Sequence, residues 1–264
     1  MEELKKKVKQ ALENGIISGF LGLKNEGGRI SPYLVTRDNL DELELLTLED
    51  ERYPLAKVLA RIAAKHPEET LGVMVRGCDE KAIIELLKAK QLDEKKIVIF
   101  GVACTQQMAE KCRCPTPYPS QIDAGDKAKG VTDDELLSKI EQMATDDRLR
   151  YWLDQFGKCI KCYGCRNICP VCYCTECALE DRLLVPGGKI PPDTPVFHLV
   201  KACHMIERCI DCGLCEQACP AGIPLRTIYR KMRQVMGKLF DYVPGRAVEE
   251  RSPLGVLEEK SKVA

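Results

Sequence analysis

Apolar positions in the first hundred residues switch between two periods. Leu4, Val8, Ala11 and Leu12 recur at helical spacing, and the pattern stops at Asn14-Gly15, a pair suited to a helix C-terminus. Residues 16–23 read as a strand interrupted by glycines, Asn25-Glu-Gly-Gly-Arg29 as a turn, and the residues beyond it as a second strand. Residues 38–46 read as a capped helical turn. Over 53–65, Leu55, Val58, Leu59, Ile62 and Ala63 fall on one side of a helix, which predicts that it covers a sheet. Two short apolar runs, 70–75 and 96–102, flank a helix at 80–90 that follows the turn Arg76-Gly-Cys-Asp79. Strand, helix and strand within about 33 residues predict a parallel unit, whose loops at the strand ends are where ligands bind.

The pattern then breaks. Pro115, Pro117 and Pro119 make 110–120 a rigid loop rather than a regular element. Thr132-Asp-Asp-Glu135 is a capping signal for a helix at 136–143, and 149–156 leads out of a first domain that ends near residue 148. Pro186-Gly-Gly-Lys189 and Pro191-Pro-Asp-Thr-Pro195 form an extended connector before a helix at 196–207, which carries His198 and His204 as surface or partner-facing groups. Residues 225–239 form an amphipathic helix whose Arg226, Arg230, Lys231, Arg233 and Lys238 predict a solvated face or, more sharply, a dock for an acidic partner. Residues 241–264 hold too few apolar side chains for a core of their own and are expected to order on a partner.

Charge narrows the partners. Lys plus Arg equals Asp plus Glu at 40 each, so nothing points to nucleic acid, and a protein partner is expected. The start, Met1-Glu-Glu-Leu-Lys-Lys-Lys, carries no apolar leader pattern, and no run approaches the ~18 apolar residues of a membrane span. With 16 cysteines needing to stay reduced, a cytoplasmic location follows as the expectation.

Those cysteines carry the chemistry. Cys159, Cys162, Cys165 and Cys169 before Pro170 spell C-x2-C-x2-C-x3-C-P, and Cys209, Cys212, Cys215 and Cys219 before Pro220 spell it again. This is the spacing of a bacterial-type two-cluster ferredoxin, in which the fourth cysteine of each run ligates the other cluster. The expected sets are Cys159, Cys162, Cys165 and Cys219 on one 4Fe-4S cluster, and Cys209, Cys212, Cys215 and Cys169 on the other. Structural zinc needs neither the third cysteine nor the proline. A chain of 264 residues also needs no disulfide framework to hold a core. Six further thiols, Cys104, Cys112 and Cys114 with Cys172, Cys174 and Cys177, predict a third metal site, iron-sulfur or zinc, against the plainer reading that several are buried apolar residues. In the turn Gly77-Cys78-Asp79, Gly77 suits a close backbone approach and Asp79 a helix cap, and the helix N-terminus favours an anionic group nearby. The plainer alternative makes Asp79 only a cap and Cys78 only a small buried residue.

The order of these motifs matters as much as their content. Gly77-Cys78-Asp79 before a helix, Gly101-Val-Ala-Cys104, a cysteine- and proline-bearing loop ending at Asp123, Cys159-Ile-Lys-Cys162-Tyr-Gly-Cys165 and a late dicluster motif resemble the coenzyme F-420 hydrogenase/dehydrogenase beta-subunit family. Within it, the chain is most similar to the iron-sulfur beta subunits associated with formate dehydrogenases and heterodisulfide-reductase-type complexes. Lys81 stands where that family commonly has arginine, and Cys112-Arg-Cys114 where it commonly has C-x2-C. The resemblance implies an electron-transfer subunit, with FAD in some members, serving a catalytic subunit and further electron-transfer subunits. A redox sensor and a self-sufficient flavin oxidoreductase are the alternatives. The expected fold is an N-terminal α/β domain (1–148), a dicluster ferredoxin module with a helical insert and C-terminal helix (149–240), and a tail (241–264).

Overall fold

The computed structural model describes residues 1–132, 134–183, 185–193 and 195–254. The first half is built on a four-stranded mixed sheet: β1 (Gly19–Glu26), β2 (Arg29–Thr36), β3 (Leu71–Val75) and β4 (Ile97–Gly101), in the order β2-β1-β3-β4. β1 and β2 pair antiparallel from Gly19↔Thr36 to Glu26↔Arg29, closed by Gly27-Gly28 at φ 59 and 83, the left-handed pair a two-residue hairpin needs. β1–β3 and β3–β4 are parallel, as the strand-helix-strand pattern predicts.

The apolar periods are explained by this sheet. β1 is buried on both faces over its first six residues and β3 throughout, so neither alternates. Helices α1 (Glu2–Glu13), α2 (Leu55–Lys65) and α3 (Gly77–Lys88) bring Leu4, Val8, Leu12, Leu55, Leu59, Ile83 and Leu86 onto Phe20, Leu21, Val73 and Met74, all at most 2% exposed. Phe20 meets Phe100 edge to face at 5.3 Å. Each such side chain contributes about 1.5–3 kcal/mol relative to exposure.

Helices dominate the rest: α4 (Gln106–Cys112), α5 (Glu135–Gln142), α6 (Thr145–Gly157), the one-turn α7 (Gly164–Asn167), α8 (Val196–Met205), the one-turn α9 (Leu214–Gln217) and α10 (Leu225–Phe240). One apolar cluster runs without a break from the sheet to Val171, Ala202, Met205, Ile210, Ile223, Leu225 and Tyr229. A smaller one, Leu179, Val185 and Phe197, lies under the insert against Cys159 and Tyr163. Among the described residues no helix is long and apolar enough to cross a membrane.

Four expectations change. Cys112 closes a helix instead of lying in a loop: Thr105 Oγ1 caps α4 by accepting from Met108 N at 3.2 Å, and Arg113 at φ 47 stops it before the prolines. Arg226 and Arg230 are buried at 4% and 8% exposure, so the basic face of α10 is in part an internal one. His198 is buried against Phe156 with ring centroids 4.5 Å apart, while His204 is exposed. Finally, 241–254 is seated on the chain itself. Tyr242 is 2% exposed, its hydroxyl accepts from Lys88 and donates to Glu207 O, both at 2.8 Å, and Gly245 N donates to Glu85 at 2.7 Å. The remainder of the predicted tail, 255–264, lies outside the described residues.

Candidate metal centres

The two C-x2-C-x2-C loops have the same backbone. Lys161 and Tyr163 in the first lie at φ 55 and 58, and Asp211 and Gly213 at the matching positions of the second lie at φ 57 and 77. Left-handed residues at these two points coil each loop around its thiols and aim N–H groups inward. Lys161 N donates to Cys159 Sγ at 3.4 Å, and the Asp211 and Leu214 N–H groups donate to Cys209 and Cys212. The one-turn helices α7 and α9 that follow pack against each other. The last cysteine of each copy is thereby turned toward the other copy's loop. Cys219 acts on Cys159 and Cys165, and Cys169 on Cys212.

All sixteen cysteines are free. Burial raises the thiol pKa values of Cys159, Cys165, Cys212 and Cys215, and that of Cys209 to about 11. Cys169 shares a hydrogen bond with Cys172, which raises Cys169 and, with Lys201 behind it, holds Cys172 down to about 5. Around these sulfurs stand cations. Lys201 faces Cys165, Cys169, Cys172 and Cys215; Arg233 donates to Cys209 O and Arg52 to Cys212 O. The Tyr229 hydroxyl is buried without a hydrogen-bond partner and faces Cys165, Cys169, Cys209 and Cys215. A buried unpaired O–H costs about 1–3 kcal/mol, and a sulfide or thiolate acceptor would remove that cost. Among the described residues no three His, Cys, Asp or Glu side chains converge closely enough for one metal ion. The ligands of a cubane, each on its own iron, stand further apart than four ligands around zinc. Free thiols in fours, inward N–H donors, compensating cations and an unpaired phenol fit an anionic cluster better than a single ion.

The additional cysteines separate into two places. Cys104, Cys112 and Cys114 line a cavity of about 260 Å³ together with Cys78, and Cys212 of the second ferredoxin loop forms its far wall. Strand ends and the proline loop position them: Cys78 in the first turn of α3, Cys104 just beyond β4, and Cys112 and Cys114 either side of Arg113. Burial pushes Cys78 well up and Cys104 to about 11. Arg52 spans the cavity edge, donating to Cys112 Sγ at 3.4 Å and to Cys212 O. Gly77 is needed here because the chain's own proline loop crosses it: a Cβ would lie 2.3 Å from Thr116 O and 2.5 Å from Tyr118 O. Asp79 accepts from Arg76 N at 3.2 Å, and burial raises its pKa against the pull of Arg76. Asp123 anchors the loop's end, accepting from Gly101 N at 2.7 Å and Lys7 at 2.9 Å.

Cys172, Cys174 and Cys177 line a different cavity of about 540 Å³, among Lys57, Arg166, Lys201, His204 and Arg208. The predicted six-cysteine grouping is therefore not brought together. Cys78, read as part of a flavin-side turn, sits with three of the six, because β3 and β4 are neighbours and their C-terminal ends open on one side. Sequence reasoning also missed Arg52, Lys201 and Tyr229. For Lys201 a signal existed: it is the one lysine in an otherwise apolar helix, Val-Phe-His-Leu-Val-Lys-Ala-Cys-His-Met.

Comparison with known proteins agrees with this chemistry. Residues 204–224, which contain the second cysteine run, match the 4Fe-4S binding domain family. The chain is 43% identical over 97 residues to the F420-dependent formate dehydrogenase subunit beta of Methanocaldococcus jannaschii, covering 37% of this chain and 26% of that one. It is 46% identical over 102 residues to the F420-dependent formate dehydrogenase 1 subunit beta of Methanococcus maripaludis, covering 39% and 26%. The matched stretch thus spans about a quarter of the length of either relative. The resemblance to the coenzyme F-420 hydrogenase/dehydrogenase beta-subunit family holds, and the chain is a relative of those beta subunits that carries a 4Fe-4S binding domain.

Proposed function

We propose that the chain is an iron-sulfur electron-transfer subunit of an oxidoreductase complex of the formate dehydrogenase type, working in a reducing cytoplasm beside a catalytic subunit. In this reading the ferredoxin module, 149–240, holds two 4Fe-4S clusters on Cys159, Cys162, Cys165 and Cys219, and on Cys209, Cys212, Cys215 and Cys169. The observation that supports it is the shared backbone shape of the two cysteine loops, with Cys219 acting on Cys159 of the first and Cys169 interacting with Cys212 of the second. Clusters bound there supply one-electron chemistry. The chain's own residues supply the setting: N–H groups that donate to sulfur, arginines that offset negative charge, and burial that keeps water away.

A third cluster belongs on Cys78, Cys104, Cys112 and Cys114, replacing the six-cysteine set. At about 260 Å³ the cavity lies below the ~300–1,000 Å³ of pockets for drug-sized ligands, so thiols and volume favour a compact inorganic group over FAD. Arg52, touching Cys112 and the Cys212 carbonyl, supports a route for electrons between this site and the second ferredoxin loop.

Counting iron and acid-labile sulfide on anaerobically purified protein tests both statements. About twelve irons per chain supports three cubanes, and about eight removes the third. Cys78→Ser should lower the count by about four while the spectrum of the ferredoxin pair persists. Folded but iron-free protein would end the reading.

A further inference from the structure

Two polar side chains reach both ferredoxin thiol sets at once. Lys201 projects from α8, is 2% exposed, and no carboxylate among the described residues pairs with it. Its ammonium stands 4.0 Å from Cys172 Sγ and interacts with Cys165 of one set and Cys169 and Cys215 of the other. Tyr229 projects from α10, is 3% exposed, and its unpartnered hydroxyl faces Cys165 of the first set and Cys169, Cys209 and Cys215 of the second. Other cations are one-sided: Arg233 acts on Cys209, Arg226 on Cys212, and Lys161 on Cys159. A buried ammonium needs an anion, and a buried phenol needs an acceptor. One position between two negative clusters satisfies both needs.

We propose that Lys201 and Tyr229 form a shared polar bridge between the two clusters and raise both reduction potentials in step, so that the pair of centres is tuned as one unit. Reduction adds negative charge to a cluster. A fixed positive charge and a donated O–H···S bond therefore favour the reduced form. Because each group reaches both sets, neither cluster shifts alone. Both are positioning residues acting on cluster potentials, and the inference rests on the two-cluster reading above.

The experiment is a redox titration of the anaerobic full chain followed by electron paramagnetic resonance, with iron content measured on every variant. In Lys201→Met both midpoint potentials should move negative, cutting the reduced-to-oxidised ratio at a fixed poise about tenfold, or about 59 mV for a one-electron centre. Tyr229→Phe, which removes a single oxygen, should move both in the same direction by less. Lys201→Arg should restore the original values, and Arg233→Met should move one cluster only. Fully loaded Lys201→Met or Tyr229→Phe with one potential shifted, or none, overturns the bridge. If Lys201→Met fails to load, Tyr229→Phe decides by the same criterion. Wild-type protein without two clusters defeats the two-cluster reading instead.

Discussion

His198 is a histidine whose surroundings give neither nitrogen a partner. It stacks on Phe156 at an interplanar angle of 18° and stands edge-on to Phe197, with both ring nitrogens buried and unbonded. Burial, with Lys201 nearby, lowers its pKa to about 4. The folded value lies below the unfolded one, so the unfolded chain takes up the proton first on acidification. Stability contributed at this site is complete above about pH 6.5 and is lost as pH falls toward 4. Thermal midpoints at pH 7 and pH 5 should therefore differ less in His198→Phe than in wild type. Gly77 makes a second test. Gly77→Ala drives a methyl group into the Thr116 and Tyr118 carbonyls, and should lower iron by about four per chain while sparing the ferredoxin signal. The two C-x2-C-x2-C loops were legible because each triplet is local in sequence, and their backbones match at Lys161, Tyr163, Asp211 and Gly213. His198 was misread because it falls on the buried face of α8 with Phe197, Lys201, Ala202 and Met205, while its residue type suggests a surface group. That Cys78 lines one cavity with Cys104, Cys112 and Cys114 was hidden because these arrive through β4 and a proline loop about 30 residues on.

Among the elements, α10 holds the halves together through one carboxylate. Asp211, in the second cluster loop, accepts from Arg226 Nε at 2.6 Å and Arg230 Nε at 2.9 Å. Arg226 also donates to Cys112 O at 2.5 Å, and Arg230 to Arg113 O at 2.9 Å, so the end of α4, the loop and α10 share one network. Burial pushes the Asp211 carboxyl up, but the two arginines outweigh it and hold its pKa below the usual range. Its stabilising effect is thus present above the ordinary carboxylate pKa and lost only as pH falls through the lower folded value. Asp211→Asn takes a shared carboxylate from two buried guanidiniums, Arg230 keeping its pair with Asp134, and should cost about 3–5 kcal/mol. Hydrogen exchange should quicken in α10 and at the end of α4, with α1 and β2 unchanged. Heptad-like reading of α10 recognised the helix and its cations. It could not show that Arg226 and Arg230, four apart, turn inward, since their partner lies in a separate loop.

Across the whole molecule, the C-terminal segment contributes to the first half's stability. Removing 241–254 strips Glu85 of the Gly245 N–H and Lys88 of the Tyr242 hydroxyl and ring, both on the helix that begins at Cys78's turn. A chain ending at 240 should melt at lower temperature and exchange faster in α3, measured by hydrogen exchange with mass spectrometry. The parallel pairing of β3 and β4 was readable from periodicity, whereas this return of the chain was not, because its anchors, Tyr242, Gly245 and Ser252 among them, are scattered single residues with no periodic pattern.

The cavity shared by Cys78, Cys104, Cys112 and Cys114 has Cys212, Gly213 and Glu216 as its opposite wall. The hollow therefore takes its shape from two stretches far apart in the sequence. A change at Cys212 or Glu216 is felt by thiols of the first half, and neither stretch makes the hollow by itself.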